Sequence, residues 1–207
     1  MSKKTELWDS VKTTDPQAVK PITGKSYKGN SPKPYWLIER ATQTFGPVGI
    51  GWGVVVKSER FERMSDTDVL HVAVVSVWYV LDGTRSESFD QMGGTKACYM
   101  TSKGSLMVDE DAGKKSVTDG MVKCLSMLGF CGDIFSGMWD DSKYVEWAGN
   151  HYALIDYLKC IATAPDVGLL KAHFAAAWKM TDRANHAELK EAYDKRTSEL
   201  TPEKEAA

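Results

Sequence analysis

Between Asp109 and Phe130 the chain reads DEDAGKKSVTDGMVKCLSMLGF, and no other stretch narrows the possible folds so far. Val117, Met121, Cys124, Leu125 and Leu128 recur at i, i+4, i+7, i+8 and i+11, the stripe an amphipathic helix buries. Lys115, Asp119, Lys123 and Ser126 follow the same period on another face. Asp109, Glu110 and Asp111 cluster at the start, where the helix dipole favours negative charge, and Gly129 marks the stop. Such a helix needs a sheet or other helices to bury its stripe. Its lysine face either grips something anionic or decorates a surface.

The preceding residues supply the sheet. Pro34 opens a helix ending at Phe45-Gly46, with Trp36, Leu37, Ala41 and Phe45 on its apolar side. The glycine-rich run GPVGIGWG (46–53) leads into a strand from Val54 to Arg63, and VLHVAVVSVWYVL (69–81) is a second, β-branched and aromatic strand. Asp82-Gly83 is a hairpin turn signal, and a third strand runs from Thr84 to Gln91. Met92 to Leu106 reads as a loop carrying Gly93, Gly94, Lys96 and Lys103. The expected fold is therefore α+β, an antiparallel three-strand β-meander packed on a long helix.

Three regions follow. Residues 1–33 hold a short helix near Glu6 to Lys12 and a polar connector; residues 34–148 form the core; residues 149–207 are a helical C-terminal region. In the last, HYALIDYLKCIATA, VGLLKAHFAAAWKM and ANHAELKEAYDKRTSEL read as three helices, and no internal repeat is visible. The connector is basic. From Pro16 to Ile38 there is no acidic residue, while Lys20, Lys25, Lys28 and Lys33 alternate with Tyr27, Tyr35 and Trp36. Lysines track phosphates and rings stack on bases, so this composition suits a single-strand binder as well as a solvated linker.

The whole chain is not basic. Its 207 residues carry a formal net charge of -2, so any anion site must arise from uneven placement of lysines. The polar start MSKKTELWDS is unlike a signal peptide, and no apolar run approaches a membrane span, so a cytoplasmic protein without a membrane partner is expected. Cys98, Cys124, Cys131 and Cys160 form no CxxC pair, which argues for reduced thiols and against zinc.

Catalytic patterns mostly fail. Gly24-Lys25-Ser26 ends like a P-loop, but Val19 stands where its first glycine belongs. The glycines at 46, 49, 51 and 53 do not fit a dinucleotide fingerprint and lead into a strand rather than a helix. His71, in an apolar strand, reads as a satisfied core histidine. Asp133, Asp140 and Asp141 leave one enzymatic alternative, a metal-dependent nuclease or nucleotide hydrolase, against their plainer reading as turn and cap residues.

Three segments together carry a resemblance: ATQTFGPVGIGWG (41–53), VWYVLDG (77–83) and DEDAGKKSVTDGMVKCLSMLGFCGDIFSGMWDDSKY (109–144). Over roughly residues 20–147 the chain resembles the phage and plasmid single-strand annealing proteins of the Sak and Erf kind, in the RAD fifty-two superfamily. The resemblance implies a β-β-β-α annealing core, assembly into rings or helical filaments, and single-stranded DNA in a basic groove. It implies annealing in recombination and repair without ATP, metal or cofactor, inside a bacterial host cell, beside a phage exonuclease or a host single-strand-binding protein. Lys123 matches the family's basic helix position, Lys103 approximately its loop position, and Lys33 and Lys28 the segment before the first core helix. Two further basic positions of that helix are Val122 and Ser126 here. The candidate DNA-binding set is Lys25, Lys28, Lys33, Tyr35, Lys103, Lys114, Lys115 and Lys123.

Overall fold

The computed structural model describes residues 3–23 and 27–201. It is a mixed α+β protein of two compact units. One comprises the chain up to Thr14 together with Ala18–Gly137; the other comprises Asp15–Gln17 and the chain from Met138 onward.

In the first unit, α1 (Glu6–Val11) is followed by a small hairpin of β1 (Val19–Pro21) and β2 (Asn30–Pro32), then by α2 (Pro34–Phe45). The main sheet contains β3 (Trp52–Arg63), β4 (Val69–Leu81), β6 (Phe89–Met100) and β7 (Leu106–Val108), antiparallel in the order β3-β4-β6-β7, with β5 (Thr84–Arg85) pairing the end of β4. α3 (Ala112–Met127) packs across β4 and β6, and α4 (Gly132–Phe135) is a single turn.

The sheet departs from the expected three strands in two places. The third strand pairs for two residues as β5, breaks at Ser86–Ser88, and resumes as β6 opposite Val77. The break is chemical: Ser86 Oγ accepts the Tyr79 N–H at 3.0 Å where a ladder carbonyl would otherwise serve. Secondly, Met92 to Leu106 is not a loop. Most of it continues β6, and a turn at Thr101–Gly104 returns the chain as β7.

Gly93 and Gly94 therefore lie within a strand, and at Gly93 the cause is the helix above it. A Cβ at Gly93 would run into the Ser116 carbonyl oxygen of α3, and one at Gly120 would stand 2.7 Å from Val75 Cγ2. Helix and sheet backbones meet with no side chain between them. The buried stripe of α3 shifts accordingly. Ala112, Ser116, Gly120, Met121, Cys124 and Leu125 are buried, while Val117 and Leu128 are half-buried. Ser116 satisfies its hydroxyl by donating to the His71 and Ala112 carbonyls at 3.0 and 2.9 Å.

α2 buries Leu37, Ala41 and Phe45, whose ring meets Tyr79 at 4.8 Å and Phe130 at 5.8 Å. At the end of α3, Gly129 adopts φ 104°, and a Cβ there would lie 2.8 Å from the Trp8 Cα. Only glycine suits that position.

The second unit contains α5 (Ser142–Ala162), α6 (Val167–Met180) and α7 (His186–Leu200), with Leu154, Ile161, Ala164, Leu170, Ala177 and Leu189 as its core. Asp166 caps α6 by accepting the Leu169 N–H at 2.8 Å. The Arg196 guanidinium of α7 donates to the Ala164 carbonyl through Nε at 3.0 Å and Nη2 at 2.7 Å, tying α7 to the end of α5. Among the described residues no helix is long and apolar enough to cross a membrane.

Candidate nucleic-acid interface

The basic segment and the lysine helix meet. Lys33 closes the β1–β2 hairpin by donating its N–H to the Ala18 carbonyl at 2.7 Å, and Pro34 follows at the first position of α2, where its missing N–H costs nothing. The hairpin and the start of α2 thus form one wall of a groove of about 460 Å³, lined by Lys20, Ser31, Pro32 and Pro34. The opposite wall is the first half of α3: Asp111, Lys114, Lys115, Thr118, Asp119 and Val122. Three lysines face two aspartates in this groove, with hydroxyls and an apolar strip between.

Each lysine on α3 carries a carboxylate. Lys114 bonds Asp111 at 2.9 Å, Lys115 bonds Asp109 at 2.6 Å, and Lys123 bonds Asp119 at 2.8 Å. The bonds from Asp111 and Asp109 raise the Lys114 and Lys115 ammoniums above the ordinary lysine range, and the Lys114 bond lowers the Asp111 carboxyl. Asp119 also accepts the Gly94 N–H at 3.1 Å, and Lys123 also donates to the Met92 carbonyl at 3.2 Å. Lys20, Lys28, Lys33 and Lys103 make no ion pair among the described residues.

The candidate set is thereby sorted. Lys114 and Lys115 line the groove, and Lys33 and Tyr35 flank Pro34 on its wall, with Tyr35 85% exposed. Lys123 is exposed one turn beyond Asp119 and is not among the lining residues. Lys28 is exposed in the hairpin segment, and Lys103 is exposed in the β6–β7 turn, neither of them in the lining. Lys25 lies outside the described residues. Lys20 lines the groove although only its segment, not the residue, stands out in the sequence. The acid-free composition around it was the available signal; its meeting with α3 is a long-range contact that no local pattern encodes.

The three aspartates of the enzymatic alternative have other occupations. Asp133 is buried and accepts the Thr14 N–H at 2.8 Å, the Thr14 hydroxyl at 2.5 Å and the Ile134 N–H at 2.8 Å. Asp141 caps α5 by accepting the Lys143 N–H at 2.9 Å. Asp140 belongs with Asp141 in the second unit, whereas Asp133 is in the first. Among the described residues no three His, Cys, Asp or Glu side chains are grouped to hold a metal ion. His71 is buried as expected for a core histidine but is not fully satisfied: Nε2 faces Glu59 at 3.7 Å, and Nδ1 has no hydrogen-bond partner among the described residues. All four cysteines are free, and burial pushes the thiols of Cys124 and Cys131 up to about 11 and about 12.

No protein-family model and no curated protein matches this chain.

Proposed function

We propose that this protein binds single-stranded DNA and anneals complementary strands, without ATP or covalent chemistry. The observation that carries the reading is the groove, in which Lys20 of the hairpin segment and Lys114 and Lys115 of α3 face one cleft. Phosphates would sit between these ammoniums, and Thr118 and Ser31 would offer hydroxyl donors. Annealing asks only that two strands be held with reduced repulsion and without internal structure. A few lysines per subunit suffice when many subunits engage one strand, because effective concentration multiplies weak contacts. On this reading β3, β4, β6 and α3 correspond to the β-β-β-α core of the Sak and Erf annealing proteins that the sequence resembles.

The assembly is a homo-oligomer, a ring or helical filament. The two end strands of the sheet differ and both expose apolar side chains: Val55, Val56 and Phe61 on β3, and Leu106, Met107 and Val108 on β7. Pairing β7 of one copy with β3 of the next is heterologous, so it propagates into a ring or filament rather than closing as a dimer. The cellular setting proposed is a bacterial host, with a phage exonuclease or host single-strand-binding protein as partner.

The test mixes purified protein with complementary oligonucleotides in EDTA without nucleotide. Accelerated duplex formation with both strands intact is expected. Magnesium-dependent strand loss would instead establish the nuclease reading, and neither effect would leave the lysines as surface decoration.

A further inference from the structure

We infer that Asp109, Asp111 and Asp119 act as internal phosphate surrogates, occupying the lysines of α3 until a nucleic-acid backbone displaces them. This inference rests on the reading of the groove as a single-strand site. Its basis is a regularity along one helix: Lys114, Lys115 and Lys123 each carry a carboxylate at 2.6–2.9 Å. Two of those carboxylates, Asp111 and Asp119, themselves line the groove, at the level where phosphates would have to lie. Lys20, on the opposite wall, has no such partner among the described ion pairs.

The consequence is a groove that is set to bind weakly. A phosphate reaching Lys114 gains a charge-assisted contact but breaks one to Asp111, and then lies beside an unscreened carboxylate. Among the described lysines that line the groove, Lys20 alone offers a charge without a competing acid, and Lys33 beside Pro34 is likewise unpaired among the described residues. Weak contact per subunit has a use in annealing, since a strand that is held loosely can shift register while searching for its complement.

Substitution of the acids separates this mechanism from a general charge effect. Asp111 makes no side-chain cap bond at the start of α3, and in Asp119→Asn the amide oxygen can still accept the Gly94 N–H, so both variants keep the fold. Glu110 is the control: it lies beside Asp111, is exposed, and holds no lysine among the described ion pairs. The measurement is anisotropy of a labelled oligothymidylate over a range of salt, for wild type, D111N, D119N and E110Q, with melting temperatures recorded alongside. Releasing a surface-paired lysine is expected to tighten binding by about two- to fivefold in each of D111N and D119N, given the modest strength of exposed pairs. The slope of log affinity against log salt should steepen by about 0.7 per released lysine. E110Q should move both quantities less. Equal tightening by E110Q reduces the effect to net charge and overturns the inference, as does unchanged or weaker binding by D111N and D119N in a wild-type background that binds. A wild-type protein that binds no oligonucleotide overturns the groove reading itself, a result plainly distinct from the others. If D119N melts early, D111N alone decides.

Discussion

Two neighbours on α3 test the division between core and surface most directly. Leu125 is fully buried beneath the helix, so Leu125→Ala should cost about 2–5 kcal/mol, read from chemical denaturation. Lys123 is exposed and its pair with Asp119 is a surface one, so Lys123→Ala should change stability by no more than about 1 kcal/mol. On the annealing reading the same variant should slow strand pairing at low salt, and wild-type rates across the salt range would remove Lys123 from the interface. The deeply placed thiols supply a second test. Because burial raises Cys124 and Cys131 above their unfolded value, their protonated forms favour the native state. Their contribution is fully present below about pH 9 and is lost as pH rises toward about 11 and about 12, so stability should decline across that window. Serine substitution at either site that leaves the alkaline limb of a pH–stability curve unmoved would refute this. In native protein at pH 8, alkylation should reach the half-buried Cys98 and Cys160 first, as mass spectrometry of digested protein would show.

At the level of elements, the local patterns were legible and the long-range ones were not. The helix at Pro34, the two long strands, the Asp82-Gly83 turn and the three C-terminal helices announce themselves through periodicity and turn chemistry, although α5 starts at Ser142, nine residues before the His151 expected. The third strand is both shorter at its start and longer at its end than its local pattern indicates. Its break depends on a serine hydroxyl reaching Tyr79, and its continuation passes through Gly93-Gly94, a pair that reads as a loop unless the helix lying on it is known. Of the groove, the lysines of α3 are legible in the sequence and Lys20 only through its acid-free segment; Asp109 and Asp111 read as ordinary helix-start residues, whereas Asp119 stands on the lysine face at i,i+4 from Lys123. β7 gives this scale its prediction. If copies pair through the end strands as proposed, Met107→Lys, at an exposed position on β7, should leave the melting temperature within a few degrees and reduce the size of the assembly by light scattering. Assemblies of unchanged size would place the subunit contact elsewhere.

For the molecule as a whole, net charge and binding are separate matters. A chain at -2 can bind a polyanion only if its charges are segregated, and Lys20, Ser31, Pro32 and Pro34 of the groove wall come from a segment without acids. Light scattering should therefore find species well above 22.9 kDa at micromolar concentration, with or without oligonucleotide. A monomer under both conditions would contradict the proposed assembly, on which the annealing reading depends.

The contact of Gly93 and Gly120 through bare backbone has a mechanical meaning. Side chains between a helix and a sheet act as compliant padding that absorbs small rotations by changing rotamer. Here that padding is missing where Gly93 of β6 meets the backbone of Ser116 and Gly120 on α3, so that point of contact has no rotamer to adjust. A change of twist at that point passes to α3 without the give of a side chain. On the annealing reading, in an assembly joined strand to strand, the curvature of a ring would set the pitch at which successive subunits present their lysines to the phosphates of a single thread.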